Sequence, residues 1–74
     1  MKVTVKLFAT LRKDRFSQDQ LTLPDNAAVS DLLKELKIPQ EHIGILLTDG
    51  KNVSADSKIS DGQTISIFPA IGGG

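Results

Sequence analysis

Seventy-four residues with no cysteine and nine acidic against nine basic side chains make one domain near the lower end of what folds unaided, where only ~60% of the unfolded chain's surface can be buried. The missing cysteines exclude a disulfide framework and thiolate zinc ligation, and the balanced charge excludes the basic footprint of a nucleic-acid binder. No apolar run approaches the ~20 residues of a membrane span, and the alternating start Met1 to Lys6 lacks the basic-then-apolar pattern of a signal peptide; a cytoplasmic protein with a protein or small-molecule partner is expected.

Val3, Val5 and Leu7 alternate with Lys2, Thr4 and Lys6, the period of two of a strand with one buried face. Phe8 falls on the opposite face from Leu7. Thr10 to Asp19 is polar apart from Leu11 and Phe16 and reads as a loop with room for a helical turn. Gln20 to Leu23 supplies a short second strand, stopped at Pro24. Val29, Leu32, Leu33 and Leu36 then recur at i, i+3, i+4 and i+7, one face of an amphipathic helix. Asp31 in its first turn and Lys34 and Lys37 near its end suit the helix dipole, and Pro39 closes it. Ile43 to Leu47 reads as a third strand before the Asp49-Gly50 turn. An irregular strand is expected between Val53 and Ile59, and after the Asp61-Gly62 turn comes a last strand over Gln63 to Phe68.

Strand, strand, helix, strand, weak strand, strand is the element order of an α+β β-grasp (ubiquitin-like) fold, a mixed sheet of four to five strands packed on one main helix. The expectation is a single domain over 1–74 with a flexible glycine-rich tail from about 70 to 74. The first and last strands would run parallel in mid-sheet. Val3, Val5, Leu7, Ile65 and Ile67 would then meet Val29, Leu32, Leu33 and Leu36 as the core.

The tail, Pro69-Ala70-Ile71-Gly72-Gly73-Gly74, continues directly from that last strand and would end on a free carboxylate. Glycines without Cβ atoms pass through a narrow channel, and five residues from Ala70 extend by ~17 Å at ~3.3–3.6 Å each, enough to enter another protein's active site. The plain alternative is a frayed end. Phe8 and Phe68 lie opposite the core residues of neighbouring strands, near the tail's root. They form either an exposed docking patch or, with Phe16, a small second core. Arg12 close by either pairs with a partner's acidic group or is solvated. His42, the only histidine, has no cysteine or carboxylate pair beside it and reads as a surface residue rather than a metal ligand or base. The two Asp-Gly pairs read as turn chemistry, and no signal marks a lysine as a conjugation site.

Leu7-Phe8-Ala9-Thr10-Leu11-Arg12, Asp61-Gly62 followed by Ile65-Ser66-Ile67-Phe68-Pro69, and the Gly-Gly end resemble the small subunit of molybdopterin synthase, in the ubiquitin-like MoaD and ThiS sulfur-carrier group. The resemblance spans the whole chain, and the Phe-Ala-x-Leu-Arg and Phe-Pro segments are its most specific parts. It implies that an ATP-dependent, ubiquitin-activating-type enzyme adenylates Gly74, that a sulfur donor displaces AMP, and that the resulting thiocarboxylate is carried into a partner. In the molybdenum pathway that partner is the large subunit of molybdopterin synthase. Gly74 would carry the sulfur, Gly72 and Gly73 would thread, and Phe8, Arg12, Phe68, Pro69 and Ile71 would dock. The chain itself would be a monomer when free, with no bound cofactor or metal and no catalytic residue of its own. Two departures are visible: Ala70 replaces the family's usual second proline, and three glycines end the chain where many members have two. They leave room for a tungsten-cofactor or archaeal-type relative. A carrier for thiamine or another pathway, a ubiquitin-like modifier conjugated through Gly74, and a plain binding module are the alternatives.

Overall fold

The computed structural model of the chain describes residues 1–70. The expectations placed on Ile71, Gly72, Gly73 and Gly74 lie outside the described residues. Strands β1 (Lys2–Leu7), β2 (Gln18–Thr22), β3 (Ile43–Thr48), β4 (Lys51–Asn52) and β5 (Thr64–Pro69) accompany one helix, α1 (Val29–Leu36), and 3₁₀ turns at Ala9–Arg12 and Gln40–His42. The sheet order is β2-β1-β5-β3-β4. β1 and β5 pair in parallel at its centre, with Val5 beside Ile65 and Leu7 beside Ile67, and the other pairs are antiparallel. This is the β-grasp sheet the element order implied.

Alternation along β1 and β5 sends Val3, Val5, Leu7, Ile65 and Ile67 to one face, where they meet Val29, Leu32 and Leu33; none of the eight is more than 2% exposed. Leu36, expected in the same stripe, sits half-buried at its edge. Leu11, Leu23, Ala27, Ile38 and Ile59 complete the core.

The ends of α1 differ from expectation for identifiable reasons. Ala28 at the N-cap has no side-chain acceptor, so only half of a capping box forms: the Ala28 N–H donates to the Asp31 carboxylate at 2.8 Å. The next two N–H groups, of Val29 and Ser30, donate to the carbonyls of Ser57 and Ala55 at 2.9 and 2.7 Å. The 53–59 stretch therefore caps the helix instead of forming the irregular strand its pattern suggested. Regular pairing is confined to the two-residue β4 before this stretch, with an isolated bridge between Ala28 and Lys58 within it.

At the other end the helix stops before Pro39. Lys37 turns left-handed (φ 59°), its N–H donates to the Lys34 carbonyl at 3.1 Å, and the Ile38 N–H donates to that of Leu33 at 3.0 Å, the two bonds of a Schellman motif. Lysine in this conformation carries a Cβ penalty that glycine lacks. Lys37→Gly is expected to raise stability by ~0.5–1 kcal/mol in urea unfolding; an unchanged or lower midpoint would contradict this account of the helix end.

β2 starts two residues earlier than the sequence suggested, because its one leucine, Leu21, with Leu23 just beyond it, gives too little alternation to set register and β1 sets it instead: Val3 pairs with Leu21 and Lys6 with Gln18. The Asp49-Gly50 turn has positive φ at both residues (49° and 83°), as a tight hairpin requires. The Asp49 and Asp61 carboxylates accept the Thr64 and Lys2 N–H groups at 3.0 and 2.7 Å. These bonds close the end of the sheet remote from the chain's exit. At the exit end, Arg15 donates to the carbonyls of Leu11, Leu36 and Lys37, each at 3.2 Å, and ties the first 3₁₀ turn to the end of α1.

Candidate docking face and tail root

Because β1 and β5 are parallel and in register, their first residues beyond the Leu7–Ile67 pair are Phe8 and Phe68, side by side on the face away from α1. Their rings stack with centroids 4.1 Å apart and planes 10° from parallel. The Phe8 N–H continues the ladder to the Ile67 carbonyl at 3.2 Å; Ala9 then turns left-handed (φ 52°) and Leu11 drops into the core. Arg12 also lies over the Phe8 ring. Its Nε donates to the Leu7 carbonyl at 2.8 Å, and its guanidinium carbon lies 5.6 Å from the centre of the Phe8 ring, within cation–π range. One nitrogen of Arg12 is thus held by the backbone, while the side chain stays exposed.

Phe68 faces Ile45 across β3. Ile45, 47% exposed, is the one large hydrophobic residue that is exposed rather than buried or half-buried among the described residues. Phe8, Phe68 and Ile45 thus form an apolar row across three strands, with half-buried Leu47 behind it beside Ser66. Farther from the exit the same face turns polar through Lys6, Ser66, Thr4 and Thr64. An apolar centre with a polar margin is the anatomy of a protein interface. Phe16 does not join the two phenylalanines; it packs on the main core.

Ile45 and Leu47 were missed in the sequence, although a signal was there. Ile43 to Leu47 is apolar at consecutive positions, and a strand lying on one core cannot bury both of its faces.

Pro69 is half-buried opposite Ile43, and the exposed Ala70 donates its N–H to the His42 carbonyl at 2.9 Å. This last rung fixes the tail's root beside the aromatic row. His42 contributes a backbone acceptor there, and its side chain is exposed. Among the described residues no group of three or more His, Asp or Glu side chains is placed to hold a metal, and no helix is long and apolar enough to cross a membrane.

The model of the ThiS family matches residues 5–74. Among solved structures, a candidate molybdopterin converting factor subunit 1 from Pyrococcus furiosus is 26% identical, with a TM-score of 0.79 over 96% of this chain and 99% of that one. The small archaeal modifier protein 1 of Haloferax volcanii is 20% identical, with a TM-score of 0.79 over 95% and 98%. A complex of subunits 1 and 2 of the molybdopterin-converting factor from Helicobacter pylori 26695 includes a chain 20% identical, with a TM-score of 0.66 over the full length of both. No curated protein matches by sequence.

Proposed function

Since the chain belongs to the ThiS family, we propose that it is a sulfur carrier whose Gly74 carboxylate is adenylated and converted to a thiocarboxylate, and that it feeds the assembly of a molybdenum or tungsten cofactor. The observation that carries this reading is spatial: the apolar row Phe8, Phe68 and Ile45 borders the point where β5 leads out through Pro69 and Ala70. A partner gripping that row receives whatever the tail bears.

The chemistry divides accordingly. The Gly74 carboxylate is a poor electrophile. Attack by its oxygen on the α-phosphorus of ATP expels pyrophosphate and leaves an acyl-adenylate. A sulfur nucleophile at the sulfide oxidation level then attacks the acyl carbon, AMP departs with the electron pair, and the thiocarboxylate remains. These steps need positioning and exclusion of water, which a partner enzyme closed around the tail supplies. The carrier supplies the handle and the docking face, and the catalytic groups belong to its partners. The Helicobacter complex of subunits 1 and 2 of a molybdopterin-converting factor favours a molybdopterin synthase large subunit as partner.

Likeness to the Haloferax modifier supports a second reading, a protein modifier joined to target lysines through Gly74. Expression of the tagged chain with and without Gly73 and Gly74 separates the two. A single free species in cell extract is expected of the carrier, and a glycine-dependent ladder of heavier conjugates would favour the modifier.

Phe68→Ala tests the docking face. It is expected to raise the Kd for the large subunit by about 30-fold, the ~2 kcal/mol of a central aromatic anchor, and to cost less than that in stability because Phe68 is only half-buried. A large loss of stability with normal affinity would make Phe68 a core residue and sink the docking role.

A further inference from the structure

Gly44 occupies the place where β3 gains one residue on β5: Ile43 faces Pro69 and Ile45 faces Phe68, so Gly44 is the extra residue of a bulge. A Cβ there would lie 2.6 Å from the Pro69 carbonyl oxygen and 3.1 Å from the Ala70 Cα. Both are backbone atoms, unable to rotate aside as a side chain would. Space alone demands glycine here, since Gly44 is not among the glycines with positive φ. Pro69 has no N–H to give β3, which leaves the bond from Ala70 to His42, at 2.9 Å, as the rung that anchors the exit.

We infer that Gly44 is a positioning residue for the tail: the volume its side chain lacks is where the Pro69–Ala70 peptide lies, and the bulge it forms sets the direction in which the chain leaves the sheet. The inference rests on the sulfur-carrier reading, because adenylation of Gly74 is the event that senses this direction. A side chain at residue 44 pushes the Pro69–Ala70 peptide off β3 and breaks the Ala70 rung. The residues that bury the core are not touched.

The test compares Gly44→Ala with Gly62→Ala in the full chain. Gly62, at the remote end, has φ +84° and open space around a Cβ, so its variant is strained without disturbing the exit. With the activating enzyme, ATP and labelled pyrophosphate, Gly44→Ala is expected to lose ~10–100-fold in kcat for pyrophosphate exchange, the scale of an ångström's misplacement. KM, set by the docking face, should hold. Hydrogen exchange at the Ala70 amide should quicken while that of Val5 and Ile67 does not. Gly62→Ala should melt at a lower temperature with kcat unchanged. Normal kcat and an unchanged Ala70 amide in Gly44→Ala, or an equal fall of kcat in Gly62→Ala, would overturn the inference. If the wild-type chain supports no exchange at all, the sulfur reading fails instead. The Ala70 amide then decides alone: faster exchange in Gly44→Ala supports the positioning geometry, and unchanged exchange overturns it.

Discussion

Deleting Gly74, or appending one residue after it, is expected to abolish activation of the chain while leaving its melting temperature unchanged. The reasoning is geometric. In the proposed mechanism the reacting atoms belong to one carboxylate, that of Gly74. Deletion leaves Gly72-Gly73 as the end, so the residue type survives, but the carboxylate is withdrawn by ~3.3–3.6 Å. Misplacement by ~1 Å already costs about 100-fold, so the loss should be near total. Extension converts the Gly74 carboxylate to an amide and overshoots with a new one. Neither change reaches the core, whose buried residues run from Val3 to Ile67. ATP–pyrophosphate exchange with the activating enzyme, beside thermal melts, reads both halves of the prediction. Undiminished exchange by the extended chain would remove Gly74 from the mechanism.

Leu33→Ala should do the converse. Leu33 lies under the sheet at 2% exposure, among Leu32, Val29 and the buried faces of β1 and β5. Removing its branched end loses the transfer energy of those atoms and leaves a cavity, a cost of ~2–5 kcal/mol. A domain of this length has only about 4–11 kcal/mol to lose, so the melting temperature should fall by about 10 °C or more. Leu33 also offers its carbonyl to the Ile38 N–H at the helix end, a backbone bond the substitution retains. The fraction that remains folded should still be activated normally, since the row Phe8, Phe68 and Ile45 lies on the face away from α1 and the exit at the sheet's end. A loss below ~1 kcal/mol in urea unfolding would mean that the helix face is less tightly packed than its burial indicates.

Both predictions use features that were legible in the chain. Two periods did the work: 3.6 in Val29, Leu32, Leu33 and Leu36, and 2 in β1 and β5. Once two strands are known to be parallel neighbours, parity alone puts Phe8 and Phe68 together, and their rings do stack. What escaped the sequence depends on partners distant along the chain. Nothing in residues 53–59 announces that the Ser57 and Ala55 carbonyls cap a helix begun by Ala28, whose own side chain cannot. Lys37 reads in sequence only as a basic residue near the helix end, with no sign of the left-handed position it fills, which glycine usually takes. It is placed there by the bonds to Leu33 and Lys34 and by the burial of Ile38. Gly44 carries no signal of its own within the run from Ile43 to Leu47, and its meaning appears only when β5 is laid against it. The tail was legible as composition, through three glycines following a strand that ends Phe68-Pro69, and its root is fixed by an Ala70 to His42 bond that no local pattern encodes.

The central claim, that Gly74 takes sulfur, is most directly tested by intact mass. The whole chain is incubated with ATP, the cognate activating enzyme and a sulfide source, and then weighed without digestion. The predicted result is a gain equal to the exchange of one oxygen for sulfur, localised to Gly74 by fragmentation and absent when ATP is withheld. An unchanged mass, under conditions in which a related carrier is converted, would contradict it.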